Sequence, residues 1–128
     1  MKKRPLSELS PAYRLGLRGE DLAADYLTQR GYRVLERRVR IQGIEIDIVA
    51  RKDGLLVFVE VKTRASDALE APEAAVDVKK QRRMIAAADA YVRQKDLLLE
   101  VRFDILSVVA NAEREEIRHI EGAFSPFV

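Results

Sequence analysis

Two apolar runs on either side of the dipeptide Asp53-Gly54 constrain the fold of this chain more than any other feature. The run before it, residues 44–51, alternates apolar and charged side chains at first, and the run after it, residues 55–63, is mostly apolar. Asp-Gly between two such runs is a strong signal for a β-hairpin. The sequence therefore predicts two antiparallel strands joined by a tight turn.

The rest of the chain adds two helices and three more strands to this hairpin. Ser10-Pro11 suits a helix start, and Gly31 suits the end of that helix. The predicted elements are a helix at 11–30, strands at 32–41, 44–51 and 55–63, a loop at 64–75, a helix at 76–95, and strands at 100–110 and 115–121. The order αβββαββ predicts one α/β domain over residues 10–128, a mixed sheet flanked by helices, behind a flexible arm at 1–9.

Composition narrows the class of protein further. The 128 residues include no cysteine, which excludes disulfides and zinc–thiolate sites and fits a reducing compartment. No apolar run approaches the roughly 18 residues needed to span a bilayer, and no signal-peptide core follows the basic N-terminus. We therefore expect a cytoplasmic protein with no membrane partner. The net charge is only +2, but local basic patches can still form where cations cluster, at 2–4, 37–40 and 79–83.

Three charged side chains in the hairpin point to a specific chemistry. A symmetric two-residue turn places Asp47 opposite Glu60, and Lys62 shares a face with Glu60. Burying carboxylates among apolar side chains is costly unless they are paired or bind a metal. A hard dication, Mg²⁺ or Mn²⁺, would relieve their repulsion, polarise a phosphate and activate water. A lysine two residues after a metal ligand can stabilise the transition state, so the set predicts a phosphodiester-cleaving centre.

Each of these residues also has an ordinary structural explanation. Acidic and basic residues on facing strands often form simple cross-strand ion pairs. Glu20, at the edge of the apolar stripe of the first helix, fits either a further metal ligand or a solvated position. His119, the only histidine, is expected to be structural. The basic cluster of the second helix fits either a phosphate-contacting patch or a solvated face; it comprises Lys79, Lys80, Arg82 and Arg83.

Several short motifs occur together along the chain. They include Gly16-x-x-Gly19-Glu20-x-x-Ala23, Gly31-Tyr32, Glu45-Ile46-Asp47, the run Val57–Arg64, and Arg102-Phe103-Asp104. Over roughly residues 13–109 the chain resembles the YraN family of bacterial proteins, which is in turn similar to archaeal Holliday-junction resolvases of the PD-(D/E)XK superfamily. The resemblance implies a restriction-endonuclease-like fold. The chain departs from the family's pattern at Ile44, where the family usually has glycine, and at Arg38, where it often has asparagine.

The resemblance also implies roles for the matching residues. Asp47 and Glu60 would bind the divalent metal, with the backbone carbonyl of Val61 as an extra ligand. Lys62 would be the catalytic lysine, and Glu20 would match the helix-borne acid that often completes such sites. Glu45, Thr63, Arg64 and Lys80 would lie around the site. The expected nucleic-acid contacts are Arg64 and three residues of the basic cluster, Lys79, Lys80 and Arg83.

Three functions follow from these observations. The leading one is a magnesium-dependent endonuclease acting on branched or damaged DNA, with DNA expected over RNA. A homodimer would supply the two active sites that symmetric cutting of two strands requires. The second is a non-catalytic nucleic-acid-binding or adaptor domain that retains the nuclease fold. The third is a protein-interaction module in which the carboxylates are merely paired.

Overall fold

One five-stranded mixed sheet lies between two helices in the computed structural model, which describes residues 9–66 and 76–126. The elements are α1 (Pro11–Gln29), β1 (Arg33–Ile41), β2 (Ile44–Lys52), β3 (Leu55–Arg64), α2 (Val78–Lys95), β4 (Glu100–Ala110) and β5 (Glu115–Phe124). The strands lie in chain order, and only β3 and β4, which α2 connects, are parallel. This architecture confirms the predicted αβββαββ order and restriction-endonuclease-like fold. The predicted arm, apart from Leu9, and most of the predicted loop at 64–75 fall outside the described residues.

Helix α1 begins and ends close to its predicted bounds because its terminal residues suit those positions. The Ser10 side chain accepts a hydrogen bond from the backbone N–H of Tyr13 at 3.1 Å, and Pro11 occupies the first helical position. Gly31, just past the helix, has φ 87°, a left-handed conformation that glycine adopts without strain. Neither α1 nor α2, the two described helices, is long and apolar enough to cross a membrane.

Two boundaries differ from the prediction by more than one residue. Helix α2 begins two residues later than the predicted 76–95, because Asp77 is its N-cap and accepts a hydrogen bond from the backbone N–H of Lys80 at 2.8 Å. Strand β5 runs three residues further than predicted. Phe124 at its end stacks on Phe103 of β4, with ring centroids 4.9 Å apart, and this contact favours continued pairing.

The sheet has a hydrophobic core on each face. In β3, Val57 and Val59 pack with α1, whereas Leu56 and Phe58 pack with α2. All four are fully buried. A strand that is covered on both faces reads as a continuous apolar run, which explains why the polar residues of β3 are confined to its C-terminal end.

A buried network of polar side chains joins β4, β5 and α1. Asp104 is fully buried, and its Oδ2 lies 2.6 Å from Nε2 of His119. Arg102 donates two hydrogen bonds of 2.8 Å to the same carboxylate, and the backbone N–H of Gly122 donates a third at 3.0 Å. Burial opposes ionisation, but these hydrogen bonds together hold the pKa of Asp104 below its usual range. His119 therefore has a structural role, and its Nδ1 lies 3.3 Å from the hydroxyl of Tyr26.

We expect Asp104→Asn to lower the free energy of unfolding by about 3 kcal/mol, because it breaks a buried ion pair and leaves Arg102 without its main partner. Urea unfolding near neutral pH measures this loss. The matched control is Asp89→Asn, which removes an exposed i,i+4 pair with Arg93 and should change stability by less than about 0.5 kcal/mol. Because the pKa of Asp104 is lowered in the folded state, its carboxylate stabilises the protein at pH values above the ordinary pKa of aspartate. This stabilisation is lost as the pH falls below that value. Equal losses in the two variants would contradict this account.

Candidate active site

The candidate site lies where β2 and β3 separate. The antiparallel ladder between them ends at the pair Ile48–Val59. Asp47 and Glu60 are the next residues outward, in the register that a symmetric Asp53-Gly54 turn predicts. Pairing of β1 with β2 and of β3 with β4 continues past this point, so each side of the gap is supported by its own neighbouring strand.

Asp47 lies in this gap as a partly buried carboxyl group close to a second negative charge. Its Oδ2 accepts a hydrogen bond from the backbone N–H of Val61 at 2.8 Å. Burial, and then the negative charge of Glu60, raise the pKa of Asp47 to about 7, against the lowering effect of the Val61 N–H. The two carboxylates are therefore close enough to repel. A cation placed between them would stabilise both, which is the electrostatic condition for a metal site.

Lys80 reaches one of these carboxylates, that of Glu60, from α2. Its Nζ lies 2.6 Å from Oε1 of Glu60. The Glu60 side chain is 12% exposed, whereas that of Lys80 is 43% exposed. The site thus already accepts one positive charge, supplied by the protein itself.

Glu20 approaches from α1 and is not at a solvated position, since it is only 6% exposed. Its carboxylate accepts hydrogen bonds from Nε of Arg38 at 2.7 Å and from Nε of Arg37 at 3.3 Å. Arg38 has φ 51°, a left-handed conformation that asparagine tolerates better than most residues. Asparagine is the residue that the family resemblance places there. Glu20 is therefore an acid whose charge is balanced by two guanidinium groups at the edge of the site.

Lys62 lies on β3 two residues beyond Glu60 and is exposed. Within residues 9–66 and 76–126 it has no hydrogen-bond or ion-pair partner, so its ammonium group is available to a bound anion. Thr63 points to the opposite face of β3, where it packs against Gly19 of α1. Arg64 follows at the end of the strand and is half-buried.

One cleft of about 280 Å³, which we call the carboxylate cleft, collects these side chains. Its walls come from α1, α2 and the first three strands. It is lined by Ala12, Gly16, Glu20, Arg38, Glu45, Asp47, Glu60, Val61, Lys62, Thr63 and Lys80. The structure thus brings all four predicted catalytic residues together in one cleft.

A second cleft of about 490 Å³ lies beside the first, and we call it the basic cleft. Glu45 and Lys80 line both clefts. Lys79 and Arg83 are exposed on its wall and have no ion-pair partner in the described part of the chain. The remaining lining residues are Arg40, Gly43, Ile44, Asp77 and Met84. Three of the four predicted nucleic-acid contacts therefore line one surface, and Arg64 lines neither cleft.

The donor atoms fit a magnesium-type ion that keeps part of its water shell. Asp47 and Glu60 offer carboxylate oxygens, and the backbone carbonyl of Val61 follows directly in sequence. Among the described residues, no group of three or more acidic or histidine side chains lies close enough together to hold a metal ion. Mg²⁺ is commonly bound through one or two carboxylates, with water and substrate phosphates as its other ligands. The residues present therefore fit such an ion.

The strand order and the two flanking helices define a fold of the restriction-endonuclease-like class. The chain belongs to the family described as "Uncharacterised protein family UPF0102", whose model matches residues 19–108. A relative from Parabacteroides distasonis is 48% identical over 110 residues, which cover 86% of this chain and 91% of the relative. Another from Geobacter sulfurreducens is 45% identical over 112 residues, with 86% and 88% covered. Both relatives are described only as UPF0102 proteins, so their names indicate no activity.

A similar solved structure is the SPO1766 protein of unknown function from Silicibacter pomeroyi. It is 19% identical, and the match covers 94% of this chain and 79% of that chain with a TM-score of 0.37. This likeness is too loose to carry an argument.

Proposed function

We propose that the chain is a metal-dependent endonuclease that hydrolyses phosphodiester bonds in DNA. The observation that carries this proposal is the meeting of Asp47 and Glu60 at a break in the sheet, with Lys62 beside them in an open cleft. Two carboxylates that repel each other, Glu60 buried and Asp47 partly buried, are costly for a purely structural site. The same arrangement favours binding of a hard dication.

The residues around the cleft can divide the chemistry between them. A bound Mg²⁺ or Mn²⁺ would polarise the scissile phosphate and lower the pKa of a bound water. Asp47 and Glu60 would hold the ion, with the Val61 carbonyl and Glu20 as further candidate ligands. Lys62, exposed and without a partner in the described residues, would stabilise the charge that develops on the phosphate oxygens or orient the attacking water.

The basic cleft supports nucleic acid as the substrate class. Lys79 and Arg83 present positive charge next to the carboxylate cleft, where they can contact the phosphates that flank the cleaved bond. Arg64 and Lys80 complete the proposed set of contacts. The resemblance to Holliday-junction resolvases favours branched or damaged DNA over RNA, and a homodimer would provide the two sites needed to cut two strands symmetrically.

Calorimetric titration with Mg²⁺ and Mn²⁺ is the first test of this proposal. We expect the wild-type protein to bind one of these ions and Asp47→Ala to lose that binding, because the variant removes a ligand and leaves one carboxylate. Cleavage assays on branched, nicked and linear DNA and on RNA then compare the wild type with Lys62→Met. Lys62→Met should retain the metal but lose most of its cleavage, typically about 100-fold or more for a group that stabilises the transition state.

The control for Lys62→Met is Lys95→Met, which removes an equal charge at the C-terminal end of α2. It should cleave like wild type. Failure of the wild-type protein to cut any of these substrates with either ion would count against the proposal. Equal cleavage by Lys62→Met and wild type would remove Lys62 from the catalytic set.

A second candidate function is a non-catalytic nucleic-acid-binding domain. It is favoured by the ion pairs that already balance two acids of the cleft, Lys80 with Glu60 and Arg38 with Glu20. Binding to DNA that weakens with salt and is unaffected by Asp47→Ala, without any cleavage, would support this alternative. Absence of all DNA binding would exclude it.

A further inference from the structure

We propose that Lys80 is an internal counter-ion, which occupies Glu60 while the site holds no metal and gives up that carboxylate when a divalent cation binds. The proposal rests on the metal site described above and adds a residue that sets its affinity. Lys80 is then a competitor of the metal as well as a neighbour of the substrate.

The contact between Lys80 and Glu60 is short and directed. Nζ of Lys80 lies 2.6 Å from Oε1 of Glu60, slightly shorter than the roughly 2.7–2.9 Å usual for an ammonium–carboxylate hydrogen bond. The backbone of Lys80 is fixed in the first turn of α2, where its N–H donates to the capping side chain of Asp77. The backbone of α2 therefore places the ammonium group within reach of the same carboxylate that a metal would need.

The two partners differ in their freedom to move. Glu60 lies in the middle of β3, paired with Ile105 of β4, and its side chain is 12% exposed. The Lys80 side chain is 43% exposed, and its ammonium group is carried on a flexible four-carbon stem. When a cation competes for Glu60, the lysine is the partner that can leave, because its ammonium group can be solvated as soon as it turns away.

The released ammonium group of Lys80 would lie beside the basic cleft. Lys80 lines both the carboxylate cleft and the basic cleft, where Lys79 and Arg83 are already exposed. Displacement from Glu60 would place a third positive charge at the surface proposed to contact phosphates. Metal binding would then strengthen the basic cleft, and by linkage a bound polyanion would favour the metal-bound state.

Lys80→Met tests the proposal because it keeps the length of the side chain and removes the charge. Mn²⁺ titration by calorimetry should give binding that is roughly five- to tenfold tighter than in wild type, the effect expected from removing a competing ion pair worth about 1 kcal/mol. The metal-free variant should melt a few degrees lower than wild type, about 2–5 °C. Lys79→Met is the matched control, since it removes an equal charge one residue away without a contact to Glu60.

A double-mutant cycle separates the ion pair from a general effect of charge. In a Glu60→Gln background, Lys80→Met should no longer lower the melting temperature of the metal-free protein. Unchanged or weaker Mn²⁺ binding in Lys80→Met, equal tightening in Lys79→Met, or a melting loss that persists in Glu60→Gln would each overturn the role of Lys80. If the wild type binds Mn²⁺ and one of these results is found, the metal site stands and only the counter-ion is refuted. If no variant binds Mn²⁺, both are refuted.

Discussion

Asp47→Asn is expected to stabilise the metal-free protein at about pH 8 while it removes divalent-cation binding. The amide oxygen can still accept the hydrogen bond from the Val61 N–H, but it carries no charge to repel Glu60. Relief of that repulsion should raise the free energy of unfolding by about 1–3 kcal/mol. Thermal unfolding in the presence of a chelator measures this gain, and calorimetry with Mg²⁺ measures the loss of binding.

The pH dependence of the wild type follows from the same group. The pKa of Asp47 is raised to about 7 in the folded state, above its ordinary value of 3.8. Between these two values the folded state binds more protons than the unfolded state, so this group lowers the stability of the metal-free protein as the pH rises from about 4 to about 7. Mg²⁺ affinity should rise over the upper part of this window, because the ion must displace the proton. Both trends should be absent in Asp47→Asn.

Glu45→Gln provides the control for Asp47→Asn. Glu45 lies two residues earlier on β2 and lines the same cleft, but its side chain is half exposed and pairs with Arg40 at 3.6 Å. Its neutralisation should leave both cation binding and the pH dependence nearly unchanged. A melting temperature that falls in Asp47→Asn, without any effect of Mg²⁺ on the wild type, would instead favour a protein-interaction module whose carboxylates are simply paired.

The register of the hairpin was the most predictable feature of the site. A two-residue Asp53-Gly54 turn defines which residues face each other, so the positions of Asp47 and Glu60 could be worked out from the sequence. Their meeting depends only on local geometry. The separation of the strands beyond Ile48 could not be predicted from the hairpin, because past this point β2 stays paired with β1 and β3 stays paired with β4 instead of with each other.

The partners of Glu20 could not be predicted in the same way. The basic cluster at 37–40 was visible in the sequence, but the direction of the Arg38 side chain depends on a left-handed backbone conformation within β1. Such a residue interrupts the alternation on which strand-face assignments rest. The one available signal was the family's asparagine at that position, a residue enriched at positive φ. The Lys80–Glu60 contact was hidden too, since it joins a helix and a strand on either side of a loop.

Gly19→Ala is expected to lower the free energy of unfolding strongly, because α1 packs closely against β3 at this position. A Cβ at Gly19 would overlap Oγ1 of Thr63, and it would lie 2.5 Å from its Cγ2 and 2.7 Å from its Cβ. Rotation of the threonine cannot relieve the last of these contacts, so the helix or the strand must shift. We expect a loss of about 3 kcal/mol or more, measured by urea unfolding.

Gly16→Ala is the matched control, because it makes the same change one helical turn earlier. No atom lies within 4 Å of a Cβ at Gly16, so that variant should gain about 0.5–1 kcal/mol from the higher helix propensity of alanine. Adding Thr63→Ala to Gly19→Ala should recover part of the loss, since it removes the two closest atoms but leaves the Cβ at 2.7 Å. If Gly19→Ala and Gly16→Ala changed stability in the same direction, close packing against Thr63 would not be what requires glycine at position 19. The two variants are expected to change the free energy of unfolding in opposite directions. Because both glycines have the same intrinsic helix propensity, this difference comes from their neighbours in space.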